Sequence, residues 1–277
     1  MLFKLGIPSY LLILMPLAIA SGPFFSDLFA SLLALIYLIR SYQLKDYEFY
    51  KNPVVVVLFI FSGYILIRSL LSDNIRLSLE SSLFYFRFIF FSIAIALIIK
   101  HNNKILKPFG YSILIVLFIV VLDAYYQLLF GVNIIGLSAY DFEGGLLVSG
   151  NYNGQLTGIF GEEKILGSFI ARMMPLAFAF VILLNKQIYT ISFIILIIAA
   201  DVVIYLSGER SAFFLLFFSL IIIVCLTKRW KKIRILSFLV SIFLIAFISF
   251  NYSSTAERMI FKTIKQLGIY SINEDED

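Results

Sequence analysis

The chain has 277 residues, of which 61% are hydrophobic and only 14% charged, with a formal net charge of +5. A soluble domain carries about a quarter of its residues as charges, so this composition excludes an ordinary water-soluble enzyme, and the positive balance fits membrane-flanking loops better than nucleic-acid binding. Cys225 and His101 are the only cysteine and histidine, which excludes an internal disulfide and a Cys-based metal site and argues against His-metal or Ser-His chemistry within the chain; no metal or cofactor is expected.

Lys4 precedes an apolar run at 7–21 that could pass for a signal peptide. Ser21-Gly22-Pro23 is a poor small-x-small cleavage site, so the run is expected to stay as a first helix. Further apolar runs predict helices at 26–40, 53–71, 82–99, 109–130, 165–184, 188–206, 211–227 and 235–250. Most approach the ~20 residues that cross a bilayer. The fold expected is all-α, a polytopic transmembrane bundle of about nine helices over residues 1–250. The first two runs are short and can pack as a hairpin around Ser21 to Asp27. A connector at 131–164, rich in Gly, Asn and Tyr, reads by composition as a flexible loop, and a tail occupies 251–277. The 30 Phe and 16 Tyr suit lipid-facing and interfacial positions.

Basic residues set the expected orientation. With the N-terminus cytoplasmic, the inner connectors hold Lys4; Arg40, Lys45 and Lys51; Lys100, Lys104 and Lys107; Lys186; and Lys228, Arg229, Lys231, Lys232 and Arg234, which is 13 of the 22 basic residues. The connector 131–164 and the tail 251–277 then lie outside.

Several polar residues fall within the apolar runs: Arg68, Arg87, Asp123, Gln127, Arg172 and Asp201, with Ser207-Gly-Glu-Arg210 just beyond. Because helices alternate in direction, all of them are expected in the outer half of the bilayer. An embedded charge costs about 2.5–3.5 kcal/mol on insertion scales unless paired or facing water. One reading is structural, with Asp123 and Asp201 neutralising Arg87 and Arg172. Arginines outnumber those aspartates, however, and a guanidinium surplus is what an anion site needs, since the planar fork matches phosphate oxygens. In the connector, Gly144-Gly145, Gly150, Gly154, Gly158 and Gly161 permit irregular backbone, and Glu162 and Glu163 suit the start of the next helix.

The ordered set Asp123-x-x-x-Gln127-x-x-x-Gly131, Leu156-Thr-Gly-Ile-Phe-Gly-Glu-Glu-Lys-Ile-Leu-Gly-Ser168, Arg172 with Pro175, and Leu206-Ser-Gly-Glu-Arg-Ser-Ala-Phe213 resembles the O-antigen ligase and polymerase family of bacterial inner membranes. Tyr85-Phe-Arg-Phe88 resembles an arginine-bearing motif on an earlier helix, and the likeness covers roughly residues 80 to 260. It implies a metal-independent enzyme that moves a glycan from an undecaprenyl-diphosphate carrier, on the periplasmic side, to lipid A–core or to another carrier-linked unit. It also implies that Arg172 and Arg210, with Arg87 weaker, bind the diphosphate, and that Asp123, Gln127, Glu162, Glu163, Asp201 and Glu209 support them.

Two features depart from the family pattern. Gln155 stands where members often carry Arg. The family's large periplasmic loop, with its proposed activating histidine, would begin near Asn251 to Arg258, so the chain is expected to be a fragment, a frameshifted product or half of a split enzyme, with its catalytic residue unknown. Two other classes compete: a transporter or flippase of lipid-linked glycans, for which no inverted repeat is evident, and a non-catalytic membrane subunit.

Overall fold

The computed structural model describes residues 6–45, 47–138, 140–141, 154–161, 163–184, 187–226, 231–251, 253–261 and 263–264, nearly all of them helical. The chain divides into two compact units, Met1–Ser112 and Ile113–Asp277.

In the first unit, prolines and asparagines set the helix starts. Pro8, Pro23 and Pro53 sit in the first turns of α1 (Ile7–Ala20), α2 (Pro23–Leu44) and α3 (Pro53–Leu70), where a missing N–H costs nothing. Asn52 caps α3 by accepting the Val54 N–H at 2.9 Å. The predicted helix at 82–99 begins earlier and is interrupted: α4 (Ile75–Ser82) and α5 (Arg87–His101) are joined by turns in which N–H groups of Tyr85, Arg87, Phe88 and Ile89 bond three residues back. The core joins Leu12, Leu33, Tyr37, Val55, Ile89, Ile93, Ala94, Leu97, Ile98 and Ile105. Buried Ala30 and Ala34 on α2, which packs on α5, illustrate the small residues that let membrane helices approach closely.

The second unit holds the later part of α6 (Leu106–Phe130), then α7 (Leu166–Leu184), α8 (Gln187–Leu206), α9 (Arg210–Leu226), α10 (Lys231–Asn251), the short α11 (Ser253–Ala256) and a π-helical turn, Glu257–Phe261. α7 packs on α8 and α9, and α10 packs on α8. A two-residue antiparallel ladder pairs β1 (Tyr140–Asp141) with β2 (Gly154–Gln155).

Large apolar side chains lie on the outside of the helices as well as in the core. On α10, Arg234, Ser237 and Ser241 are buried, whereas Phe243 is 73% and Phe250 89% exposed. On α3 only Val55, Ser62 and Ser69 are buried, and Val54, Val57, Ile60 and Ile67 face outward. Such surfaces suit lipid and would associate in water. Five segments are long and apolar enough to cross a membrane: Pro23–Leu44, Pro53–Leu70, Ile75–His101, Asn103–Phe130 and Leu166–Leu184. Ile7–Ala20, Ser192–Leu206, Arg210–Ile223 and Arg234–Phe250 are apolar and shorter. The chain is an α-helical membrane protein.

Arg234 corrects one expectation. Assigned from sequence to a cytoplasmic connector, it lies in the first turn of α10 with only 2% of its surface exposed.

Candidate functional site

The site is built in the second unit, from the end of α6 upward. Gln127 is fully buried, and its Oε1 accepts the backbone N–H of Thr157 at 3.0 Å and of Gly158 at 2.9 Å. Asp123, one turn earlier on the same face of α6, accepts the Ile134 N–H at 2.9 Å through Oδ1. Asn133 accepts the N–H groups of Ile135 and Leu137 through its own Oδ1 and donates to the Gly158 carbonyl at 2.8 Å. The spacing Asp123-x-x-x-Gln127 thus aims two acceptors at two parts of the connector. Leu156, Thr157 and Gly158 are buried, so this stretch is a fixed structural element rather than the flexible loop that composition suggests. Gly144, Gly145, Gly150 and Glu162 lie outside the described residues.

Gly158 sits at the tightest point of this arrangement. Its φ is +54°, and a Cβ there would come within 3.2 Å of Asp123 Oδ2. Both the backbone conformation and the space select glycine.

The turn between α8 and α9 carries the second half. Glu209 accepts the Gly167 N–H at 2.6 Å with Oε1, and the Ser168 N–H at 3.0 Å and hydroxyl at 2.6 Å with Oε2. These are first-turn donors of α7, which no intrahelical carbonyl can satisfy. A carboxylate there is also favoured by the helix dipole. Glu209 is therefore the cap of α7, and Arg210, next in sequence, opens α9. Arg172 lies four residues beyond Ser168, on the same face of α7, and is exposed. Glu163 is exposed just before α7 and does not cap it.

A residue that sequence reasoning assigned to the tail completes the cluster. The Arg258 Nε donates to the Gly208 carbonyl at 3.0 Å, bringing the π-helical turn onto the Ser207–Arg210 segment. Burial, and then the positive charge of Arg210, lower the Arg258 pKa from the usual arginine value, while Glu209 opposes the shift.

Asp201 belongs to a separate network. Its Oδ2 accepts from Arg234 Nη1 at 3.2 Å and from the Ser241 hydroxyl at 2.8 Å. Arg87, in the first unit, pairs with Asp27 at 2.8 Å and lies 4.9 Å from the Phe88 ring centroid. The expected neutralisation of Arg87 and Arg172 by Asp123 and Asp201 is therefore not what the structure contains: Asp201 takes Arg234, Arg87 takes Asp27, and Asp123 takes a backbone N–H. Gln155, which stands where the resembled family often carries Arg, is buried at 1% exposure.

No signal in one sequence marks Asn133 or Ser168 as ligands of these groups. Arg258 could have been suspected from being the first cation after the last apolar run. Among the described residues, no cluster of His, Cys, Asp and Glu could hold a metal ion. The chain matches no protein-family model, curated protein or solved structure.

Proposed function

We propose that the chain is a membrane glycan transferase of the O-antigen ligase or polymerase type, multi-pass in the bacterial inner membrane with its N-terminus cytoplasmic. It would move an undecaprenyl-diphosphate-linked oligo- or polysaccharide to an acceptor hydroxyl, on lipid A–core or another glycan, on the periplasmic side. The observation that carries this reading is the turn Ser207–Arg210. Its glutamate fixes the start of α7 and with it the position of Arg172, while Arg210 and Arg258 meet at the same turn.

In such a transfer the acceptor oxygen attacks the anomeric carbon, the carbon–oxygen bond to the diphosphate breaks, and undecaprenyl diphosphate departs with the bonding electrons. Guanidinium groups beside the diphosphate stabilise the charge that develops on the leaving oxygen. Asp123, Gln127 and Glu209 act as positioning residues that hold connector and helices, since each is occupied with backbone donors. Removal of the acceptor proton is assigned to no described residue.

The test is glycan transfer in membranes containing the protein. Arg172→Ala and Arg210→Ala should each lower transfer at least a hundredfold with the protein still present in the membrane. Unchanged transfer in both would overturn the diphosphate role. A flippase reading draws on one observation, the ion pair buried between α8 and α10, because embedded charges also mark transport paths. Translocation of a lipid-linked glycan without change of carrier would favour it.

A further inference from the structure

We infer that α11 is a cover closed on β2, and that Gln155 and Thr255, the polar side chains it hides, bind ring hydroxyls of a sugar when it opens. The inference rests on the transferase reading for the choice of a sugar as ligand.

The junction lies within the second unit. The Leu156 N–H, directly after β2, donates to the Leu206 carbonyl at 3.4 Å, which sets the strand beside the end of α8. α11 follows α10 and packs on β2. Just beyond it, the bond from Arg258 Nε to the Gly208 carbonyl holds the far end of the cover down. At this junction Gln155 is 1% and Thr255 0% exposed. Neither Gln155 Oε1 nor the Thr255 hydroxyl has a hydrogen-bond partner among the described residues. One orphaned polar atom is an ordinary exception, but two on elements packed together require an explanation. Each has given up water and gained no partner, so the contact that hides them is weakened by their burial. α11 is a single helical turn with little stability of its own. A short element on a weakened contact is where local opening is expected.

The two groups also define what fits between them. An amide oxygen only accepts, so it needs a donor and is a poor match for phosphate or carboxylate oxygens; a hydroxyl both donates and accepts. Neighbouring hydroxyls on a sugar ring can donate to Gln155 and accept from Thr255.

The experiment follows hydrogen exchange of the amides at 253–261 in the full chain, in phosphatidylcholine nanodiscs. Methyl β-glucoside is the sugar probe and inorganic pyrophosphate the anionic control. The glycoside should speed exchange at least threefold by holding the cover open, and pyrophosphate should not. Thr255→Val keeps the side-chain shape without the hydroxyl, and Gln155→Met keeps the length without the amide. Each should slow exchange at least threefold, raise the melting temperature and abolish the response to the glycoside. A purely structural pair would not link added stability to loss of that response.

No response of the unaltered protein to the glycoside, an equal response to pyrophosphate, or a response kept in both variants overturns the inference. So does a lower melting temperature in Thr255→Val, which would mean that the hydroxyl holds a trapped water in the closed state. If the glycoside response is present but glycan transfer survives both Arg172→Ala and Arg210→Ala, the sugar site stands and the transferase reading falls. If transfer is lost in those variants and the glycoside has no effect, the cover falls and the transferase reading stands.

Discussion

Asp201 and Arg234 meet at 3.2 Å, with side chains 1% and 2% exposed, as an ion pair between α8 and α10. Ser241 donates to the same carboxylate oxygen at 2.8 Å, and Ser237 lies 3.4 Å from the Arg234 Nη1. The carboxylate is held from both the first turn and the middle of α10, so it locks the register of that helix on α8. Four residues further along α8, Tyr205 meets Ser249 of α10 at 2.7 Å, and the two polar contacts keep the helices in step. This register matters for the site because α10 leads directly into the segment that carries Arg258.

Removing one partner leaves the other charged and buried, which costs about 3–5 kcal/mol. Asp201→Ala and Arg234→Ala should each lower the melting temperature of the detergent-solubilised protein by well over 5 °C. The double change Asp201→Leu with Arg234→Met replaces the pair with apolar volume and should melt close to the unaltered protein. Equal destabilisation in single and double variants would show that the pair does not act as a unit.

Glu209 satisfies the partly buried first-turn N–H groups of Gly167 and Ser168 and the Ser168 hydroxyl. Glu209→Ala should destabilise by about 1–3 kcal/mol, the range for leaving partly buried donors unsatisfied, and Glu209→Gln by less because one acceptor oxygen remains. Thermal melting measures both. Arg172 is carried on the helix that loses its cap, so pyrophosphate affinity should fall in Glu209→Ala even though the change removes a negative charge. An affinity that rises instead would mean that Glu209 acts only as a competing charge.

The helical character of the chain was legible because long apolar runs have few other uses. The pairing of the polar residues was not legible. Arg234 ends a run of basic residues, so it reads as a loop anchor, and only tertiary packing turns it inward toward Asp201. Asp27 lies at the start of an apolar run and gives no sign that Arg87, sixty residues on, will reach it. Gln127 and Asp123 stood out as polar residues in an apolar helix, yet their partners are backbone N–H groups, which every residue supplies and no pattern distinguishes. The stretch 156–158 was hidden for the same reason: Gly158 suggests freedom, while Gln127 and Asn133 hold the backbone of Thr157 and Gly158 in place.

The Arg87–Asp27 pair should behave differently from the buried one. Its side chains are 31% and 51% exposed, and pairs of that kind contribute about 0–1 kcal/mol. A double-mutant cycle with Arg87→Ala and Asp27→Ala, followed by melting, should give a coupling in that range. A coupling above 2 kcal/mol would place the pair in a far less polar setting than its exposure indicates.

Orientation can be read by labelling. In a Cys225→Ser background, Glu257→Cys should react in intact spheroplasts with a maleimide that does not cross membranes, because residue 257 is exposed and belongs to the proposed outer segment. Lys104→Cys, also exposed, should react only after permeabilisation. The reverse pattern would invert the proposed topology and place the arginine cluster on the cytoplasmic side.

Two glycines make opposite demands on a substituted methyl group, and together they test whether connector and turn are fixed independently. At Gly158 the φ of +54° opposes any L side chain, and a Cβ would sit 3.2 Å from Asp123 Oδ2. Gly158→Ala combines a left-handed penalty of about 1–2 kcal/mol with that contact, so adding Asp123→Ala relieves only the steric part. At Gly167 the obstacle is purely spatial: the helical backbone accepts alanine, but its Cβ would run into Ser207 Oγ, with Glu209 Oε1 and Ala212 Cβ close behind. Gly167→Ala should therefore separate α7 from the α8–α9 turn and weaken pyrophosphate binding, and Ser207→Ala should restore much of the loss by opening the nearest contact. Melting and pyrophosphate titration of the four variants distinguish the two cases. If Ser207→Ala fails to help Gly167→Ala, the close approach of α7 to the turn is not what positions the arginines.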